Sequence, residues 1–407
     1  MVNYAPPLIG IVGKTNVGKS TIFSSITMAT VEISNRPFTT IDPNKGVGYV
    51  RVNCPHVEFS LPSCNPRSGY CTKGNRFVPV ELTDVAGLIP GAYMGRGLGN
   101  KFMDDLRRAD AFLLVVDASG STDESGNPVP PGTNDPVKEV KDILFEIDMW
   151  LARIISSDWQ KFSVAVETGR KDVQEALYEK ISGLSVKRAA VLDALGKSGL
   201  ESKRPSMWKQ EDFVAFAREL RKSAKPHVIV ANKADIPQSI ENIRRLKEAF
   251  PNDKVFPVSG EAELALRRAA KAGIIDYIPG DSKFEVIDAS KITKAQQNAL
   301  KYIQERVFNV YGGTGVQQSL NSLVFDVLKK IVVYPVEDQN KLTDKEGRIL
   351  PDALLVDFGS TARSVAGMIH SDLEKGFIYA IDVKTKQRLG ADSKLHNGAV
   401  LKIVSSL

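Results

Sequence analysis

The segment Gly13-Lys14-Thr15-Asn16-Val17-Gly18-Lys19-Ser20 constrains this chain more than any other feature. It matches the pattern G-x-x-x-x-G-K-[ST] in full. The apolar residues 8–12 before it read as a strand, and residues 20–28 after it read as a helix. A strand that turns through glycines into a helix points successive N–H groups inward around an anion. Lys19 is then placed to reach the β and γ phosphates of a nucleotide, and the Ser20 hydroxyl to bind Mg²⁺. Thr21 follows at the start of the helix and completes the candidate phosphate site.

Further apolar runs at 47–52, 78–82, 111–116, 227–231 and 255–258 read as strands. Run 111–116 is almost continuously apolar, as a central strand covered on both faces should be. The expected fold class is therefore α/β: a P-loop domain with a mostly parallel sheet and helical crossovers. Residues 119–136 are rich in Gly, Pro, Ser, Asn and Asp and read as a loop, and 137–225 then turn helical. Two strands of one sheet rarely need so long a crossover, so 137–225 is expected to be a helical insertion. A second helical zone runs over 289–308. After residue 330, short runs rich in β-branched or aromatic residues at 331–336, 354–356, 376–383 and 399–404, with a helix near 361–369, predict a small mixed α/β domain. The expected division is 1–136 with 226–330, then 137–225, then 331–407.

Two more motifs follow predicted strands. Asp84-Val85-Ala86-Gly87 puts an acidic residue where it can hold Mg²⁺ through water, and a glycine N–H where it can meet the γ-phosphate. Asn232-Lys233-Ala234-Asp235 offers a carboxylate that can accept from both N1–H and the 2-amino group of guanine. Adenine lacks that amino donor and would leave the carboxylate unsatisfied. Lys233 would lie over the base, and Asn232 would tie this loop to the phosphate loop. Ser259-Gly260-Glu261 follows another strand, where its backbone can touch the guanine edge.

Composition excludes some classes. With 43% hydrophobic and 25% charged residues the chain is not wholly disordered. No apolar run reaches about 18 residues, so no membrane span is expected. The first residues lack the basic region and apolar core of a signal peptide, and three cysteines cannot build a disulfide framework, so a cytoplasmic protein is expected. Residues 161–225 carry 14 Lys and Arg against 9 Asp and Glu, nearly the whole excess of a chain with net charge +6. Among them Arg170, Lys171, Lys187, Arg188, Lys203, Arg204, Lys209, Arg221 and Lys222 are candidates to meet RNA phosphates; a solvated helical surface is the alternative.

In this order the motifs resemble GTPases of the translation-factor-related class. Pro37-Phe38-Thr39-Thr40-Ile41-Asp42-Pro43-Asn44 is similar to the first switch of the Obg-related group. Asp84 to Ala92 with Gly95-Arg96-Gly97-Leu98-Gly99-Asn100-Lys101-Phe102 is similar to its second switch. Within that group the chain most resembles the YchF-like family in an archaeal-looking version. Leu350-Pro351-Asp352, Ile369-His370-Ser371-Asp372-Leu373 and residues 397–403 resemble that family's C-terminal TGS domain. The resemblance implies that Thr40 closes on Mg²⁺ and the γ-phosphate, so that Lys19, Thr40 and Gly87 form the catalytic set. It also implies a link to the ribosome. Many bacterial and eukaryotic members have a degenerate base motif and favour ATP. Here the guanine-reading residues are complete, so GTP and GDP are the expected ligands. A switch acting through a protein effector and a nucleotide-dependent scaffold are the alternative functions. Leu88 stands where Ras-like enzymes place a water-orienting glutamine, so slow intrinsic hydrolysis is expected. The Asn16 side-chain oxygen can either help bind K⁺ between the phosphates or only satisfy loop backbone groups.

All three cysteines fall within 18 residues: Cys54, Cys64 and Cys71, with His56 beside the first. Three thiolates and an imidazole suit Zn²⁺, although the spacing matches no standard signature. Ordinary thiols are the alternative. His227, His370 and His396 read as structural, and Trp150, Trp159 and Trp208 as helix-packing residues.

Overall fold

The computed structural model describes residues 4–27, 44–85, 87, 91, 106–184 and 186–406. Thr40, Leu88 and most of both expected switches lie outside the described residues. The larger sheet has seven strands. They are β1 (Leu8–Val12), β2 (Lys45–Asn53), β3 (Tyr70–Thr72), β4 (Asn75–Asp84), β5 (Ala111–Asp117), β6 (His227–Asn232) and β7 (Val255–Pro257). Their order is β2-β4-β1-β5-β6-β7, with β3 paired to β4. Strands β4, β1, β5, β6 and β7 run parallel, whereas β2 and β3 pair with β4 antiparallel.

Every residue of β5 is buried. Phe112, Leu114 and Val116 enter one core, while Ala111, Leu113 and Val115 enter the core on the opposite face. The period of two thus serves two cores at once, which is why the run reads as continuously apolar. The first core lies under the helices that separate β5 from β6. Helix Pro136–Ser156 begins with Asp135 accepting the Val137 N–H, and it buries Val140, Ile143, Ile147, Trp150 and Leu151 at helical spacing. It packs on helix Gln210–Ala224 through Phe213, Phe216, Ala217 and Leu220. Trp159 and Trp208 lie 4.8 Å apart between ring centres and close on Phe213. Both indole N–H groups donate to carbonyls, of Pro205 and Lys203. These tryptophans are packing residues, as expected.

The basic stretch proves less open than its composition implies. Arg221 is buried and its Nε donates to Asp148 at 2.6 Å, and Lys225 is buried against the carbonyls of Arg107 and Ala109. Arg221 is therefore removed from the expected phosphate-binding set. Lys171, Lys187, Arg188, Lys203 and Lys222 are paired with carboxylates.

Two short strands, β8 (Ile275–Asp276) and β9 (Glu285–Val286), precede the second sheet. It contains β10 (Lys330–Val336), β11 (Leu354–Asp357), β12 (Phe377–Asp382), β13 (Arg388–Leu389) and β14 (Ala399–Ser405), in the order β11-β10-β14-β12-β13. Helix Ala362–Ile369 packs on one face of it. The other face shares the second core of the large sheet through Val332, Tyr334, Leu342, Leu350, Leu355 and Val400.

Candidate nucleotide site

Parallel strands deliver their following loops to one edge of the sheet, and the motif residues meet there. The phosphate loop leaves β1 and enters helix Lys19–Thr27. Lys14 and Val17 are buried, whereas Thr15, Asn16 and Ser20 are exposed. Lys19 Nζ donates to the Lys14 carbonyl at 2.7 Å. Burial lowers the pKa of this ammonium against the pull of Asp84 and Glu139. The buried Lys14 side chain lies 3.5 Å from Asp142, while the Lys14 backbone supplies the carbonyl that holds Lys19.

Ser20 Oγ donates to Asp84 Oδ2 at 2.8 Å. The other oxygen, Asp84 Oδ1, is buried without a partner among the described residues. A hydroxyl and an unsatisfied carboxylate oxygen at a helix N-terminus form a donor set that suits Mg²⁺. A Cβ at Gly87 would lie 2.5 Å from Thr15 Oγ1, so only glycine lets this segment approach the phosphate loop. Beyond it, the Gly91 N–H donates to Glu146 Oε1 at 2.7 Å, which ties Gly91 to helix Pro136–Ser156. Asn16 is left-handed, with φ 63°, and its Nδ2 donates to the Gly126 carbonyl at 2.8 Å. Its side-chain oxygen, the atom expected to meet K⁺, has no partner among the described residues.

Asn232 joins three loops. Its Nδ2 donates to Val17 O at 2.8 Å, and its Oδ1 accepts from the Gly260 N–H at 3.1 Å. A Cβ at Gly18 would collide with that amide, so the glycine makes the contact possible. Lys233 has φ 60°, and its Nζ donates to Asp117 Oδ2 at 2.8 Å and to the hydroxyls of Ser121 and Thr122. Burial raises the Asp117 pKa, but Lys233, Ser119 and Thr122 outweigh it and leave the carboxyl below its ordinary range. Asp235 Oδ1 accepts from Ser259 Oγ at 2.8 Å, and Tyr302 donates to the Asp235 carbonyl at 3.2 Å. Asp235, Ser259, Glu261 and Tyr302 line a cavity of about 230 Å³. Thr21 Oγ1 lies 3.5 Å from Glu261 Oε1, which closes the ring of loops.

Sequence reasoning missed several members of this site. Asp117 was legible as the acid that ends an apolar strand. Tyr302 and Glu139 carried no local signal. Glu139 has an unpartnered, buried Oε1, and burial lifts its carboxyl from 4.5 to about 8, against the pull of Lys14.

Away from this edge, Cys54, His56, Cys64 and Cys71 converge, with one ligand atom from each within 4.8 Å of the others.

Known proteins point to the same family throughout. Residues 8–152 match the family described as 50S ribosome-binding GTPase. Residues 230–338 match the G4 motif-containing domain of YGR210-like, Obg-like GTPases, and 343–405 match the TGS domain. The uncharacterized GTP-binding protein MJ1332 of Methanocaldococcus jannaschii is 50% identical over 98% of this chain and 99% of its own length. The chain belongs to the YchF-like, Obg-related GTPases. Another YchF-like relative, the ribosome-binding ATPase YchF of Bacillus subtilis, is 29% identical over 91% of this chain and 87% of its own. A crystal structure of a GTP-binding protein from Pyrococcus horikoshii superposes with a TM-score of 0.77 at 39% identity, covering 98% of this chain and 99% of that one.

The buried Glu139 makes a pH prediction for this YchF-like chain. An acid whose folded pKa lies above its unfolded value binds its proton more tightly in the fold, so stability falls as pH rises between the two values. The unfolding free energy from urea titrations should therefore decline between roughly pH 5 and pH 8, and Glu139→Gln should remove much of that decline. The same slope in both proteins would contradict the assignment.

Proposed function

We propose that this chain is a Mg²⁺-dependent GTPase whose GTP and GDP states switch its association with the ribosome or another RNA assembly. One observation carries the nucleotide choice: the Asp235 carboxylate, held by Ser259, lines a cavity, and the neighbouring Asn232 ties this loop to the glycine-rich loop at Val17. That carboxylate has two donors to meet on guanine and none in the same places on adenine. Gly13 to Thr21 wrap the phosphates, with Lys19 released from the Lys14 carbonyl to face the transferring group. Ser20, Asp84 and Thr40 would hold Mg²⁺, which would supply charge neutralisation for the phosphates. Gly87 offers its N–H to the γ-phosphate. Lys233 covers one face of the base, and Ser259, Gly260 and Glu261 border its edge. Leu88 can neither orient nor deprotonate water, so intrinsic hydrolysis is slow, and the Asn16 side-chain oxygen would hold K⁺, whose charge would supply part of the missing help. The division into 1–136 with 226–330, 137–225 and 331–407 separates nucleotide chemistry from partner binding. Among the described residues no helix is long and apolar enough to cross a membrane, and a cytoplasmic site of action is part of this reading.

Hydrolysis assays test the chemistry. GTP should turn over at least about tenfold faster than ATP, and faster in KCl than in NaCl. Asp235→Asn should weaken guanosine nucleotides by roughly 1.5–3 kcal/mol and raise the preference for xanthosine nucleotides, whose 2-oxo group can accept from the new amide. Equal turnover of ATP and GTP, or an unchanged base preference in the variant, would overturn the assignment.

The relatives named ribosome-binding, and the open Arg170, Arg204 and Lys209 of the helical insertion, support the partner. The ion pairs that occupy Lys171, Arg188 and Lys203 favour a second reading, a protein effector. The protein should co-sediment with ribosomal subunits in a nucleotide-dependent and salt-sensitive way. Co-sedimentation that ignores both nucleotide and salt, or none in any state, would favour the effector.

A further inference from the structure

The segment between β2 and β4 builds a second centre at the joint between the two sheets. Cys54 follows the end of β2 and stands at the N-cap of the short helix Pro55–Glu58, which carries His56. Cys64 lies in the following loop, and Cys71 in β3. Cys54 Sγ is 3.6 Å from Cys64 Sγ, and Cys71 Sγ is 3.8 Å from His56 Nδ1. These are the separations of neighbouring corners of a small tetrahedron. A zinc ion with thiolates at about 2.3 Å places them roughly 3.8 Å apart, because a tetrahedron's edge is about 1.6 times its radius. Three sulfurs and one imidazole are also the donor set that selects zinc over magnesium or calcium.

Charge gives an independent argument. Arg76 in β4 is fully buried. Its Nη1 donates to the Leu350 carbonyl at 3.0 Å and to Cys64 Sγ at 3.6 Å, and its Nη2 donates to the Pro351 carbonyl at 3.1 Å. Its Nε has no acceptor, and among the described residues no carboxylate pairs with it. A buried guanidinium without a counter-charge is costly. Three thiolates and a neutral imidazole around Zn²⁺ carry a net charge of −1, which supplies that counter-charge beside Cys64. Tyr334 of β10 is a second orphan: it is 1% exposed, its hydroxyl has no partner among the described residues, and it lies within electrostatic reach of all three cysteines. Thiolates of a metal centre are acceptors for such a hydroxyl.

The loop that the cluster would close is also the one that grips the C-terminal domain. The Asn65 N–H donates to the Ile349 carbonyl and the Arg67 N–H to the Pro351 carbonyl, both at 2.8 Å. The Arg67 guanidinium pairs with Asp352, and Lys384 pairs with Glu58 at 2.8 Å. Residues 349–352 are thus held by backbone bonds from the loop between Cys64 and Cys71, and by Arg76 beneath it.

We propose that Cys54, His56, Cys64 and Cys71 bind one Zn²⁺, and that this anionic centre, through Arg76 and the 64–71 loop, locks the C-terminal domain onto the sheet that carries the nucleotide site. The metal is structural: four protein ligands leave no open position for a substrate.

Two measurements on the full-length protein separate the parts of the proposal. Protein purified without chelator should carry about one zinc per chain. Cobalt exchanged into it should give thiolate charge-transfer absorption and the intense visible bands of a tetrahedral site, weakened in His56→Asn. Less than about 0.3 zinc per chain with no such cobalt spectrum overturns the centre. Amide hydrogen exchange then tests the lock. Removal of zinc by a thiolate-competing, zinc-selective chelator with Mg²⁺ kept in excess should speed exchange at residues 350–356 by about tenfold or more, while GDP binding, followed in parallel, stays unchanged. Arg76→Met should give the same acceleration with zinc still bound. A zinc-loaded protein whose exchange there ignores both chelation and Arg76→Met overturns the lock. Loss of GDP binding on chelation would show that the metal serves the nucleotide site instead.

Discussion

One side-chain amide holds the nucleotide edge together. Asn232 gives its N–H to the phosphate loop at Val17 and takes the N–H of Gly260 from the loop after β7. Both bonds are buried, so each protein group that loses its partner is left without water to replace it. The amide works only because Asn232 ends β6, two strands from β1, where parallel pairing brings the loops of β1, β6 and β7 to one edge. Sheet order thus fixes the distance between the phosphate and base sites before any nucleotide arrives.

Other contacts around this clasp are arranged for a ligand. Lys233 is held by the buried Asp117, so in the proposed base site its long side chain would lose little freedom on binding. Lys19 is kept on the Lys14 carbonyl, a neutral acceptor that an anionic phosphate oxygen can displace. Asp84 retains one unsatisfied oxygen beside Ser20. Buried polar groups with unused capacity are rare in folded proteins, and here they gather where a charged ligand belongs. The same logic at Arg76 marks the joint with the C-terminal domain.

Much of this was legible in the sequence, because strands and phosphate loops are local patterns. Run 111–116 shows its double burial directly, and the glycines and Lys19 mark their turn. Motif order was enough to bring Asn232 to Val17, although 215 residues separate them. What stayed hidden depends on the distant fold. Tyr302 reaches Asp235 across 67 residues from a helix whose pattern suggests only packing. The excess charge of 161–225 was real as composition, yet folding buries Arg221 against Asp148 and pairs many of the rest. The cysteines were visible as a cluster, but the place of Cys64 beside Arg76, which bonds to Leu350 and Pro351, came only with the three-dimensional joint.

The central claim is that Asn232 sets the nucleotide site by joining its loops. Calorimetric titration of GDP into the intact protein and into Asn232→Ala tests it most directly. Two buried hydrogen bonds lost at the junction should weaken GDP by about 2 kcal/mol, or roughly thirtyfold in Kd, with the fold retained by circular dichroism. A folded variant that binds GDP within about twofold of the unaltered protein would contradict the account.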